Sequence, residues 1–252
     1  MAAYPITFCQ RSNYKFPCED ALFNGIDVYQ YKNKNAETML VEKPHPIIAV
    51  ADGVSATPNS HKASRYWMEQ IKNCDVLNSQ WVRKTHLQFC DDFPFQCGSA
   101  TTLVAAQLFE NGRIKIVNVG DSRVYKITEQ GEFIQLSYDH TVLNWYLNEN
   151  KHLDPSGEYA EMYYMLSDCL IADFESDDFQ IFSQDYQLKP NESLLLCSDG
   201  LTDFIEAKRL TDIWRSYTTN EQRLRGYCQE AKKVHTLKWS DDFSAVAWTY
   251  KA

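Results

Sequence analysis

The sequence predicts an α+β chain in which two antiparallel β-sheets pack together with helices outside them. Three observations carry that expectation. Short apolar, β-branched runs bounded by turn residues recur along the chain, with helically spaced segments between them. Neighbouring runs are joined by Asn111-Gly112 and by Gly120-Asp121-Ser122, steps too short for the crossovers that parallel strands need. No internal repeat and no Pro-, Gly- or Ser-rich linker divides the chain, so one domain over residues 1–252 is expected.

Taken in order, Ile47 to Ala51 reads as a strand, and Asn59 to Asn73 and Asn78 to Cys90 read as helices. Thr101 to Phe109, Arg113 to Val119 and Arg123 to Thr128 then read as an antiparallel meander. Residues 139–190 carry the least regular pattern and many acids, which suggests a helical or mobile insert, a flap beside the sheets. Within it, Val142 to Asn150 and Glu158 to Asp168 have helical spacing. Ser193 to Cys197 and Phe243 to Tyr250 are the closing strands. Asn220 to Val234 forms an amphipathic helix between them, with Thr218 and Glu221 placed as a capping box.

Charge and composition exclude several classes. The 252 residues include 25 basic and 34 acidic side chains, a formal charge of −9, which argues against a nucleic-acid partner. Apolar residues at 44% and charged residues at 23% are ordinary for a globular chain, so wholesale disorder is not expected. No apolar run is long enough to span a membrane, and the first residues lack a basic segment followed by a long hydrophobic one, so a cytoplasmic protein is expected. Eight cysteines form no Cys-x-x-Cys pair and no zinc-like spacing, so they are expected as reduced, partly buried thiols.

The chemistry lies in acids at strand ends. Asp52-Gly53 closes IIAVADG, Asp199-Gly200 and Asp203 close LLLCSDGLTD, and Asp121 follows IVNVG. Glu19 and Asp20 precede Ala21 to Phe23, and Asp241 and Asp242 precede the last strand. Strands of one layer deliver their ends to a common rim, so these carboxylates can converge. At an effective dielectric of about 20, two unit charges about 4 Å apart interact by roughly 4 kcal/mol, so such a cluster demands cations or protons. Hard divalent ions such as Mg2+ or Mn2+ suit carboxylate, carbonyl and water ligands. Singly, Asp-Gly is a turn dipeptide and Gly-Asp-Ser-Arg a hairpin corner. Five such sites in one chain favour a two-metal centre.

The ordered set resembles the metal-dependent Ser/Thr protein phosphatases of type 2C (the PPM type), in particular bacterial-like single-domain members. The resemblance rests on Glu19-Asp20, Val50 to Gly53, Gly98 to Thr102, Asn118 to Arg123, Asp139 to Thr141, Leu194 to Asp203 and Asp241 to Ser244. It implies a β-sandwich with helices on both faces. It also implies two Mn2+ or Mg2+ ions, bridged by Asp52, with the Gly53 carbonyl on one and Asp199 and Asp241 on the other. Glu19 and Asp20 would act largely through water, and a further ion would take Asp121 and Asp203 together with Asp199. The implied reaction is hydrolysis of phosphoserine or phosphothreonine in a protein, opposing a Ser/Thr kinase, by water held between the two ions. No Cys-x5-Arg loop offers a thiol nucleophile instead.

Two positions depart from the family pattern. Lys15 stands where an arginine commonly grips the substrate phosphate, giving charge without a bidentate fork. Val54 stands where some members carry a histidine that protonates the leaving group. These departures keep a second reading open, a catalytically weak or inactive member that binds phosphoproteins as a regulatory module. A hydrolase of small phosphoesters is a third. His140 is read either as an acid or, more simply, as a structural residue.

Overall fold

The computed structural model describes the chain apart from residues 1–2, 13–16, 32, 95–96, 152–153, 155–156, 158, 204, 236–240 and 252, and the side chains of 234 and 235. Every residue of the strands Ile47–Ala51 and Ser193–Cys197 is buried, so both faces of each sheet are covered. One sheet contains β1 (Tyr4–Arg11), β4 (Asn33–Val41), β9 (Arg123–Ile127), β10 (Phe133–Gln135), β13 (Ser193–Cys197) and β14 (Phe243–Thr249), in the order β10-β9-β13-β14-β1-β4. The other contains β2 (Ala21–Phe23), β3 (Val28–Tyr29), β5 (Ile47–Ala51), β7 (Leu103–Leu108), β8 (Arg113–Val119) and β12 (Phe182–Gln187), in the order β12-β8-β7-β5-β2-β3. A short pair, β6 (Ala100–Thr101) and β11 (Leu170–Ile171), lies apart, and all the pairings are antiparallel.

The period of two along each strand sorts side chains into layers. Ile48 and Val50 point into the core between the sheets with Phe8, Leu194, Leu196 and Val246. Ala49 and Ala51 face the other way, against Trp67 and Met68 of α1 (Ser60–Lys72) and Phe89 of α2 (Ser79–Asp92). On the opposite outer face, Leu195, Cys197 and Ala245 pack against α5 (Ala207–Ser216) and α6 (Asn220–His235) through Leu210, Trp214 and Tyr227. Helices therefore flank both faces, as the resemblance implies. All eight cysteines are free, and six are buried.

Several sequence expectations need correction. Asn111-Gly112 is a hairpin turn, with Gly112 at φ 79° and its N–H donated to Phe109 O at 3.0 Å. The Gly120 step is no hairpin. It carries the chain from β8 in one sheet to β9 in the other, so the expected meander splits between layers. Gly120 has φ 97°, and a Cβ there would lie 2.7 Å from Thr102 Cβ, which explains the glycine at the crossing. Of the helix read at Glu158 to Asp168, only a 3-10 turn at Glu161–Tyr164 forms, Glu158 lying outside the described residues. Val142 N–H binds Met165 O, and Thr141 bridges to Leu166, which draws the chain out of helical geometry. Thr219, not Thr218, caps α6, accepting from Gln222 N at 3.3 Å. Residues 139–190 contain α3 (Val142–Glu149) but end in β12, an edge strand on β8.

Candidate metal centre

Strand ends from both sheets meet on one rim. The end of β5 faces the start of β2 through the pair Ala21 and Ala51, and the end of β13 faces the start of β14 through Cys197 and Ala245. The end of β8 completes the set with Gly120 and Asp121. This rim presents Glu19, Asp20, Asp52, Gly53, Asp121, Asp199, Asp203 and Asp241, together with Asp242. Lys15 lies outside the described residues.

The backbone around each acid is tightly held. Asp52 O accepts from Thr102 N at 2.8 Å and Thr101 Oγ1 at 2.7 Å, while Asp52 N donates to Thr102 Oγ1 at 3.0 Å. Its carboxylate is left to the rim. Gly53 N donates to Glu19 O at 3.1 Å, and a Cβ at Gly53 would lie 2.7 Å from the Ser60 carbonyl and 2.8 Å from Glu19 O. Only glycine fits this crossing. Gly200 is more constrained still, since a Cβ there would lie 1.9 Å from Asp242 O. Glu19 is held by the hydroxyls of Ser60 at 2.6 Å and Ser55 at 2.5 Å. Asp199 opens a single helical turn, Asp199–Thr202 (α4), whose end is closed by Asp203 N donating to Asp199 O at 2.8 Å.

The carboxyls feel one another. Burial first, then Asp20 and Asp199, hold Asp52 well above the usual carboxylate range. Asp20 is fully buried and likewise raised, by burial and then Asp242, against the pull of the Ser198 and Ser244 hydroxyls. Desolvation and then Asp199 push Asp241 up to about 6 and Asp203 up to about 6, the latter against Arg123. Asp121 is pushed up to about 8 by burial, Asp199 and Asp139. Asp199 thus acts on all four of Asp52, Asp121, Asp203 and Asp241, joining the two halves of the rim. The guanidinium of Arg123 is already engaged, by Asp139 Oδ2 at 2.8 Å and Thr202 Oγ1 at 2.9 Å.

These residues fit hard divalent ions. Asp20 Oδ1 and Asp199 Oδ1 are buried without a hydrogen-bond partner, which is costly for an acceptor unless a cation or proton meets it. Every donor on the rim is an oxygen, the ligand type Mg2+ and Mn2+ take. Among the described residues no three His, Cys, Asp or Glu side chains enclose an ion site by themselves, so the convergence is one of electrostatic range. A groove of about 750 Å3 lies elsewhere, at the other end of the first sheet beside Thr7, Ser193 and Thr249, away from this chemistry.

The groups that hold the acids from behind carry little signal in the sequence. Ser198 Oγ donates to Asp20 Oδ2 at 2.7 Å and accepts from Ser244 N at 3.0 Å, so it ties the two halves of the acid set. Gln10 Nε2 donates to Asp20 O and Ser244 Oγ. Ser198 had a signal, its place directly before Asp199. Gln10 and Ser60 had none.

A four-layered fold with an acid rim suited to hard cations defines a class of metal-dependent hydrolase. A family model for protein phosphatase 2C matches residues 16–233, and the chain belongs to that family. The serine/threonine phosphatase stp of Listeria monocytogenes serovar 1/2a is 26% identical over 196 residues, 71% of this chain and 75% of the relative. The solved Stp1 of Staphylococcus aureus matches with a TM-score of 0.74 and 18% identity, covering 100% of this chain and 96% of that one. The catalytic domain of the phosphatase PstP, solved in complex with two manganese ions, matches with a TM-score of 0.70 and 17% identity over 100% of both chains. These two structural likenesses speak to the fold. Asp241 lies beyond the family match, and its place beside Asp199 comes from the structure.

Proposed function

We propose that this chain hydrolyses phosphoserine and phosphothreonine in protein substrates, using two Mn2+ or Mg2+ ions, in the cytoplasm and in opposition to a Ser/Thr kinase. The observation that carries the reading is the gathering of Asp20, Asp52, Asp199 and Asp241 at paired strand ends, with Asp20 Oδ1 and Asp199 Oδ1 buried and without a hydrogen-bond partner. Asp52 would serve both ions, with the Gly53 carbonyl, Asp199 and Asp241 completing the set, Glu19 and Asp20 behind them, and Asp121 and Asp203 toward a third ion with Asp199. Bound there, divalent cations neutralise a phosphate dianion and make water nucleophilic at neutral pH. The protein's own part is preorganisation. Thr101 and Thr102 aim Asp52, Ser198 fixes Asp20, and Ser55 and Ser60 hold Glu19. The full complement of core acids favours an active enzyme over a phosphoprotein-binding module.

The single domain with residues 139–190 as a flap beside the site belongs to the same proposal. In its support, His140 N of that segment donates to Gly120 O at 3.0 Å, directly before Asp121 of the rim. Lys15 is proposed as the phosphate contact, because β1 ends and β2 begins on this rim and Lys15 lies in that connection. The eight free thiols fit a reducing compartment, and among the described residues no helix is long and apolar enough to cross a membrane. The test is release of phosphate from a phosphothreonine peptide with millimolar Mn2+, for wild type beside Asp241→Ala. EDTA-sensitive turnover lost in the variant is expected. Absence of turnover in wild type, or full activity in Asp241→Ala, overturns the reading.

A further inference from the structure

His140 sits in a motif that the metal centre does not use, yet it is bound to it. The residue is 3% exposed, and its ring lies edge-on to Tyr138 with centroids 5.4 Å apart. Its carbonyl accepts from Ser167 N at 2.9 Å, while its ring and its amide both bind one residue of the rim. Gly120 N donates to His140 Nδ1 at 3.1 Å, and His140 N donates to Gly120 O at 3.0 Å. The peptide on either side of Gly120 is thus held from one place. A backbone N–H can only donate, so Nδ1 must be an acceptor, which assigns the proton of a neutral ring to Nε2. The short Nδ1 to Gly120 O distance of 3.2 Å is then a neighbour contact, since that oxygen already accepts from His140 N and from Asn118 Nδ2.

Gly120 needs such a hold. It adopts φ 97°, at the point where the chain leaves one sheet for the other, and its next residue is Asp121. Asp121 leaves the backbone at the very next position, so the direction of the Gly120 turn sets the direction from which its side chain departs. We infer that His140 is a positioning residue: its neutral Nδ1 locks the Gly120 turn and thereby aims the Asp121 carboxylate at the outer part of the acid rim. The imidazole takes no part in proton transfer. A role in ion binding rests on the proposed placing of Asp121 at the third ion. The hold on Gly120 does not.

Asparagine and leucine separate the possibilities. Asparagine Oδ1 occupies the place of histidine Nδ1 relative to the backbone and accepts the same bond. Leucine fills similar space and accepts nothing. Glutamine, whose amide lies one bond farther out, serves as the control if His140→Leu fails to fold. Hydrogen exchange of the Gly120 amide, read by NMR or mass spectrometry in metal-free protein, should accelerate about tenfold or more in His140→Leu and His140→Gln and stay within about threefold of wild type in His140→Asn, the scale of one hydrogen bond. Calorimetric titration with Mn2+ on the same proteins should show the weakest binding event lost or about tenfold weaker in His140→Leu, restored in His140→Asn, with tighter events unchanged. Equal exchange in all the proteins overturns the inference. So does an asparagine variant as impaired as leucine in both readouts, or one whose pH–rate profile loses a limb that wild type has. If wild type takes up no Mn2+, the phosphatase reading falls, and amide exchange still decides the role of His140.

Discussion

Asp199→Asn removes the charge that the rim acids share while keeping the shape of the side chain. Asp241 rises from 3.8 to about 6. At 1.36 kcal/mol per pKa unit, that makes the metal-free fold about 3 kcal/mol less stable above the titration than below it. A carboxyl whose folded pKa exceeds its unfolded value favours the fold fully below the unfolded value, and the advantage is lost as pH rises through the folded one. Asp241 therefore weakens the metal-free protein between about pH 4 and pH 6, and Asp121, raised to about 8, extends the loss to about pH 8. Asp199 stands second to desolvation in raising both, so its removal recovers a minority, about 1 kcal/mol at each, and less at the more exposed Asp203. In EDTA, Asp199→Asn should be about 2 kcal/mol more stable than wild type at pH 8 and equal to it at pH 4. At about 2–4 °C per kcal/mol, calorimetry should read a Tm higher by roughly 5 °C at pH 8. In saturating Mn2+ the order should reverse if Asp199 is the ligand proposed above, because the variant then binds the ion less tightly. Parallel Tm curves from pH 4 to 8 in EDTA would refute the idea of a single coupled set of acids.

Three further outcomes are expected. Gly200→Ala places a methyl 1.9 Å from Asp242 O, a clash with backbone that only movement of the α4 turn relieves; urea unfolding should show a loss of about 2 kcal/mol or more, together with weaker Mn2+ uptake. Ser198→Ala removes the hydroxyl donor to Asp20 Oδ2 and the acceptor of Ser244 N, both buried, and should cost about 1–3 kcal/mol of stability by the same measurement. Lys15→Ala should raise the KM for a phosphopeptide severalfold with kcat nearly unchanged, and an unchanged KM removes Lys15 from the phosphate site.

The acids were legible because each lies next to an apolar run whose strand is buried on both sides. A run such as Ile47 to Ala51 or Ser193 to Cys197 has one reading once turn residues bound it, and the structure gives it the same limits. The edge strands were not legible. β4, with the sequence NKNAETMLV, is largely solvent-facing, and β12, FSQDYQ, is mixed, so neither carries an apolar signal. The crossing at Gly120 was misread because a tight glycine turn looks alike whether the strands it joins share a sheet or face each other across a core. The hydroxyls of Ser60 and Ser198 act through contacts of long sequence separation, which spacing does not encode.

One regularity of the sequence becomes intelligible only on the sandwich. In IIAVAD, LLLCSD and IVNVGD the acid follows the apolar run, whereas in EDALF and DDFSAVAW it precedes it. Antiparallel pairing requires this alternation. β5 runs toward the rim and its partner β2 away from it, and β13 runs toward it and β14 away. Acids placed after the first of each pair and before the second must therefore meet at one end, with Asp52 beside Asp20 and Asp199 beside Asp241. A parallel sheet built from the same segments would send them to opposite ends. The order of acid and run along the chain is thus evidence for the antiparallel topology and for the convergence together. The same logic places the start of β9 beside the end of β13. That brings Arg123, held by Asp139, to the side of the rim where its charge works against the upward shifts of Asp121 and Asp203.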